Sequence, residues 1–121
     1  PHTAIEKGRS MRRAPFGIVG LETAAALTYS ELVLKDYLTP MQMAEKLSYN
    51  PARIIGLDKG TIKEGGVADL VIFDPSSNYT ISKDEFAGKA KNTPFHNRKV
   101  TGKVIATIVS GEIVYREGTL K

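Results

Sequence analysis

Residues 50–75 read NPARIIGLDKGTIKEGGVADLVIFDP, and the chain changes its period inside this stretch. Up to Leu57 the spacing is helical: Asn50 is placed to cap a short helix, Pro51 to open it, Ile54 and Ile55 to pack, and Gly56 to end it. Beyond Leu57 the pattern is that of strands. Gly60-Thr61-Ile62 reads as a short strand and Lys63 to Gly66 as a turn. Ala68 to Asp74 reads as an apolar, β-branched strand stopped by Pro75. The chain therefore divides into residues 1–57, a loop and helices, and residues 58–121, a small β unit.

Upstream, Thr39, Pro40 and Gln42 spell an N-cap, a first helical residue and a capping box, with Leu38 and Met43 at the positions of a hydrophobic staple. Before them stands RRAPFGIVGLETAAAL, residues 12–27. Its cationic lead and alanine triplet suggest a secretion signal, but Pro15, Gly17, Gly20 and Glu22 interrupt the apolar run such a signal needs. Ile18, Leu21, Ala25, Tyr29 and Leu32 recur at steps of three and four, which predicts a helix from Ile18 with this stripe facing inward. Downstream, Tyr79 to Ser82 reads as a further strand, and Ser82 with Glu85 as a second capping box. KVIATIV and EIVYRE flank Ser110-Gly111, a two-residue hairpin signal. A helical piece too short for a bundle, joined to too few strands for a sandwich or barrel, reads as an incomplete α/β domain.

With 121 residues, 41% hydrophobic and 25% charged, the composition is that of a globular protein of about one domain. The chain has no cysteine, which excludes disulfides, thiolate metal sites and cysteine nucleophiles within it and fits a reducing compartment. No apolar run approaches the roughly 20 residues of a membrane span. The net charge of +4 is concentrated between Lys7 and Arg13 and in the acid-free stretch between Glu85 and Glu112. Neither cluster interleaves aromatic residues as a single-strand binder does, so no nucleic-acid partner is expected and Arg9, Arg12 and Arg13 read as solvated. The first residue, Pro1, is not Met, as expected of a processed or cleaved polypeptide.

Taken together, Pro1-His2, APFGIVGLETA (14–24), LSYNPARIIGLDKGTIKEGGVADLVIFDP (47–75), KNTPF (91–95) and GKVIATIVSGEIVYREG (102–118) resemble the carboxy-terminal portion of the bacterial dihydroorotases. The resemblance covers essentially the whole chain, in order. The 50–74 motif is shared with allantoinases, hydantoinases and dihydropyrimidinases; APFGIVGLETA and KNTPF narrow it. It implies the last part of a (β/α)₈ amidohydrolase barrel, with residues 1–16 as the loop after the eighth strand and Gly17 to about Lys35 as the eighth helix. Part of a small β-sandwich would follow, its other strands coming from an amino-terminal part absent here. The implied activity is zinc-dependent interconversion of N-carbamoyl-L-aspartate and L-dihydroorotate, in the cytoplasm. A zinc site lowers the pKa of bound water and needs clustered histidines and a carboxylate. His2 and His96 are far apart, and the family's metal-binding Asp would fall just before Pro1. Hence no metal ligand and no catalytic residue is expected in this chain, zinc is expected in the full-length parent only, and the chain alone is expected to be inactive.

What the resemblance leaves to this chain is the substrate side of the pocket: His2 toward the substrate carboxylate, and Pro15, Phe16 and Gly17 beside the pyrimidine ring. Each has a plainer reading. His2 also reads as a frayed terminal residue, Phe16 as ordinary core and Gly17 as a helix-start glycine. Glu22 reads as a helix-face or capping residue, and Asn92 to Phe95 as a docking segment. His96 reads as surface, and Asp69 and Asp74 as turn or edge residues. Open strand edges predict a homo-oligomer or association with the missing amino-terminal part. A ring substrate of the hydantoin or allantoin type, and a non-catalytic dihydroorotase-like subunit bound to a partner such as aspartate transcarbamoylase, stand as alternatives.

Overall fold

The structure is a computed structural model that describes residues 2–121. Its β half is a four-stranded antiparallel meander in the order β1 (Leu70–Thr80), β2 (Lys99–Val109), β3 (Glu112–Arg116), β4 (Thr119–Leu120). Short helices precede it: α1 (Ala4–Lys7), α2 (Ala24–Thr28), α3 (Pro40–Ala44) and α4 (Asn50–Ile54). The expected α/β character is present. Among the described residues no helix is long and apolar enough to cross a membrane.

Helix α2 is entered by a 3₁₀ turn, Leu21–Thr23, and runs into a π turn, Tyr29–Val33. Two expectations are corrected here. The helix does not start at Ile18, because residues 17–20 are irregular and Gly17 lies at φ +96°. The inward stripe is also not the predicted one: Leu21 is 96% exposed, whereas Thr23, Ala26 and Val33 are buried. Helix-period counting cannot choose between two stripes when alanines occupy both, and here the small side chains take the face that approaches the sheet. Ala26 meets Ile81 and Val100 there, with Leu27, Tyr79, Phe86 and Phe95 around them. Ser30 fastens the helix to the strand: its hydroxyl donates to the Thr101 carbonyl at 2.9 Å and accepts from the Thr101 N–H at 2.8 Å. Asp36, at φ 61°, then ends the helical run, with Tyr37 N–H donating back to Leu32 O and Asp36 N–H to Val33 O.

The Thr39 capping box forms as predicted. Asn50, however, is not a cap. It lies inside a continuous helical path, because a π turn, Glu45–Tyr49, joins α3 to α4. Pro51 supplies a physical reason: its ring would collide with the Leu47 carbonyl in a regular α-helix, and a widened turn relieves that. Gly56, at φ +73°, closes α4 as expected, with Leu57 N–H on Ala52 O and Gly56 N–H on Arg53 O.

The stretch at residues 60–62 is not a strand; Ile62 is 90% exposed in an irregular connector. The turn after it does form, with Gly66 N–H donating to Lys63 O at 3.1 Å. Asp69 closes the connector, pairing with Lys59 and accepting the Ser110 N–H at 2.8 Å. Ser110 (φ 51°) and Gly111 (φ 84°) make the predicted hairpin turn, with Val109 opposite Glu112.

Pro75 does not stop β1, and Tyr79 to Ser82 is not a separate strand. The pairing with β2 slips between Asp74 and Asn78, so one long strand crosses the proline through a bulge. The Asp74 carboxylate holds that bulge, accepting from Ser76 N–H (2.8 Å), Ser76 Oγ (2.6 Å) and Ser77 Oγ (2.5 Å). These bonds, the Ser76 hydroxyl foremost, lower its pKa to about 2. A depressed carboxylate stabilises the fold above its unfolded value, and the benefit is lost as pH falls through the folded value. The bulge is therefore expected to persist on acidification from about pH 4 until near pH 2, where carboxyl ¹³C titration should place the Asp74 midpoint; a midpoint near 4 would contradict the geometry. The second predicted capping box is absent: Ser82 makes no side-chain cap on the 3₁₀ turn Lys83–Glu85.

Candidate functional site

The loop carrying Pro15, Phe16 and Gly17 starts from α1. Thr3 caps that helix and forms a capping box with Glu6, whose carboxyl the Thr3 N–H and hydroxyl hold below the usual carboxylate range. The next residue, Lys7, reaches across the loop. Its ammonium donates to the carbonyls of Pro15 (2.8 Å), Phe16 (3.2 Å) and Gly17 (2.5 Å). A second side chain approaches from the far end of the sequence: Asn92 Nδ2 donates to Gly17 O at 3.0 Å, and Val19 N–H donates to Asn92 O at 3.3 Å. The Glu22 carboxylate accepts from Ala87 N–H (3.0 Å) and Gly88 N–H (3.2 Å). The loop is thus clamped between α1 and the segment leading into β2.

Consequently Glu22 serves the neighbouring segment and not its own helix. Asn92 and Phe95 act apart, Asn92 on the loop and Phe95 on the core around Ile81. His96 is half-buried and not simply surface; its Nδ1 accepts the Lys83 N–H at 3.3 Å. Lys7 was hidden in the sequence by its basic neighbours, which remain exposed at Arg9, Arg12 and Arg13. The pattern Thr3-x-x-Glu6 would have marked α1 and drawn attention to the residue after it.

The Phe16 ring is 98% exposed, which removes its reading as ordinary core in this chain. Gly17 adopts a conformation side-chain-bearing residues avoid, so its reading as a helix-start glycine also falls. An added Cβ there would meet nothing within 4 Å. His2 is exposed, one residue before the α1 cap; Pro1 lies outside the described residues. Two clefts, of about 430 Å³ beside Tyr29, Val33 and Tyr37 and about 270 Å³ beside Glu22, Tyr79 and Tyr115, are lined by none of His2, Pro15, Phe16 and Gly17. Among the described residues no three His, Asp or Glu side chains gather to hold a metal, so zinc does not fit the residues present.

Residues 4–114 match the amidohydrolase family. The dihydroorotase of Clostridium acetobutylicum is 50% identical over 97% of this chain and 28% of its own length. That of Clostridioides difficile is 49% identical over 95% of this chain and 27% of its own. The chain therefore spans little more than a quarter of these relatives. Among solved structures, the L-hydantoinase (dihydropyrimidinase) of Arthrobacter aurescens superposes with a TM-score of 0.85 at 30% identity, covering 91% of this chain and 25% of that one. A D-hydantoinase from Thermus sp. gives 0.84 at 28% identity, over 93% and 25%.

Proposed function

The chain belongs to the amidohydrolase family, and from that premise we propose that it forms the carboxy-terminal part of a cytoplasmic dihydroorotase, the cyclic amidohydrolase that interconverts N-carbamoyl-L-aspartate and L-dihydroorotate. The carrying observation is the 50% identity to a dihydroorotase along 97% of the chain, set against 30% for the hydantoinase. In this reading residues 1–57 complete the barrel and residues 58–121 contribute to a small sandwich. Exposed Phe16, Leu21 and Ile62 support burial against further polypeptide.

Within such an enzyme this chain binds and orients. Pro15–Gly17 border the pyrimidine ring, with Phe16 as a wall and backbone amides meeting the ring's polar edge. His2 donates a hydrogen bond to the substrate carboxylate. Zinc, which would supply an activated water, is assigned to polypeptide outside residues 2–121.

A hybrid enzyme tests the reading. In it, residues 1–121 replace the matching segment of the Clostridium acetobutylicum dihydroorotase. The hybrid is expected to turn over dihydroorotate well above hydantoin and allantoin. A preference for hydantoin would favour the hydantoinase-type alternative, and a folded, metal-loaded hybrid inactive on all three would overturn the proposal.

A further inference from the structure

We propose that Lys7 is the positioning residue of the Pro15–Gly17 loop, fixing which face of its backbone meets a ligand. One ammonium collects three consecutive carbonyls, those of Pro15, Phe16 and Gly17. Outside a helix, consecutive peptide carbonyls share a direction only under constraint, and Gly17 at φ +96° supplies part of it. Because each peptide is trans and planar, the N–H sharing a plane with each carbonyl points away from it. The amides of Phe16, Gly17 and Ile18 are therefore turned to the side opposite Lys7. Among the described residues none of these three amides has a hydrogen-bond partner. Successive N–H groups turned outward form a concavity for an anion or a carbonyl oxygen. Lys7 stands outside that concavity and shapes it from behind.

The scaffold for Lys7 is itself fixed. The Thr3–Glu6 capping box holds α1, and Asn92 holds the Gly17 carbonyl from the other side. An ammonium suits this task, since its three donors are rotatable and match three oxygens. Without it, the carbonyls lose their common direction and the Phe16–Gly17 peptide becomes free to turn.

That the ligand is a dihydroorotate-type ring rests on the functional reading above; that Lys7 fixes the loop does not. Two readouts keep them apart. Chymotrypsin cleavage after Phe16, exposed in the 121-residue chain, reports the loop there. Lys7→Met is expected to speed that cut at least tenfold, while Lys7→Arg recovers most of the protection and Lys35→Met leaves the rate unchanged. In the hybrid, Lys7→Met should raise KM for dihydroorotate about tenfold, with metal content and melting temperature held and Lys7→Arg intermediate. An unchanged cleavage rate, or an unchanged KM in an active hybrid, overturns the inference. A hybrid inactive on dihydroorotate, with faster cleavage in the Lys7→Met chain, overturns only the assigned substrate, and the loop-fixing role of Lys7 is upheld.

Discussion

Gly102→Ala is expected to destabilise the chain by about 3 kcal/mol, combining a left-handed backbone with overpacking. Gly102 sits in the middle of β2 at φ +96°. A Cβ there would run into the Phe73 ring and come within 3.0 Å of the Tyr29 ring. Those two rings pack edge to face, with centroids 5.3 Å apart, so neither can yield without breaking the contact with the other. Gly102 thus lets the helix and the bulged strand share one spot on β2. Thermal melting checks this, with a fall on the order of 10 °C. A variant melting with the wild type would show that Phe73 swings aside freely.

Gly17→Ala should act in the opposite proportion, large on catalysis and small on stability. No atom stands within 4 Å of the added Cβ, so the cost is that of the backbone alone, about 1 kcal/mol. Relaxing that strain moves the peptide that the proposed function sets beside the ring, and a misplacement near 1 Å can cost about 100-fold in rate. In the hybrid enzyme kcat/KM for dihydroorotate is expected to fall by that order while the melting temperature shifts by a few degrees. Gly20, at φ −150° with equally open space, is the control, and Gly20→Ala should leave both nearly unchanged. Equal kinetics for the two variants would remove Gly17 from the ligand's side of the loop.

The parts of the fold legible from sequence were those set by local chemistry. Thr39, Pro40 and Gln42 start a helix because the side chains satisfy orphan backbone donors. Ser110-Gly111 turns because few residue pairs tolerate two positive φ values in succession. The errors arose where a distant partner decides. The Leu21 stripe and the Ala26 stripe are equally periodic, and only Ile81 and Val100, far along the chain, select the second. Pro75 reads as a strand end unless Asp74, Ser76 and Ser77 are seen together as the brace of a bulge. In the site, Phe16 and Gly17 stood out by resemblance. Asn92 stood out too, inside KNTPF, but as a docking residue; Lys7 did not, because its partners are backbone carbonyls, which leave no mark in a sequence.

The Lys59–Asp69–Ser110 clip bears on how this chain tolerates being lengthened. It pins the connector between helix and sheet near its two ends; Lys63 within it is tied to Asp58, and Glu64 and Gly65 form the exposed tip of the turn. Once the ends of a flexible loop are fixed, doubling its length costs only about 0.6 kcal/mol in closure entropy. A peptide tag or fluorophore-bearing insert after Glu64 would thus report on the molecule from a place remote in contacts from Pro15–Gly17. The turn is the natural splice point for engineering, and Asp69 is the residue such a design has to keep.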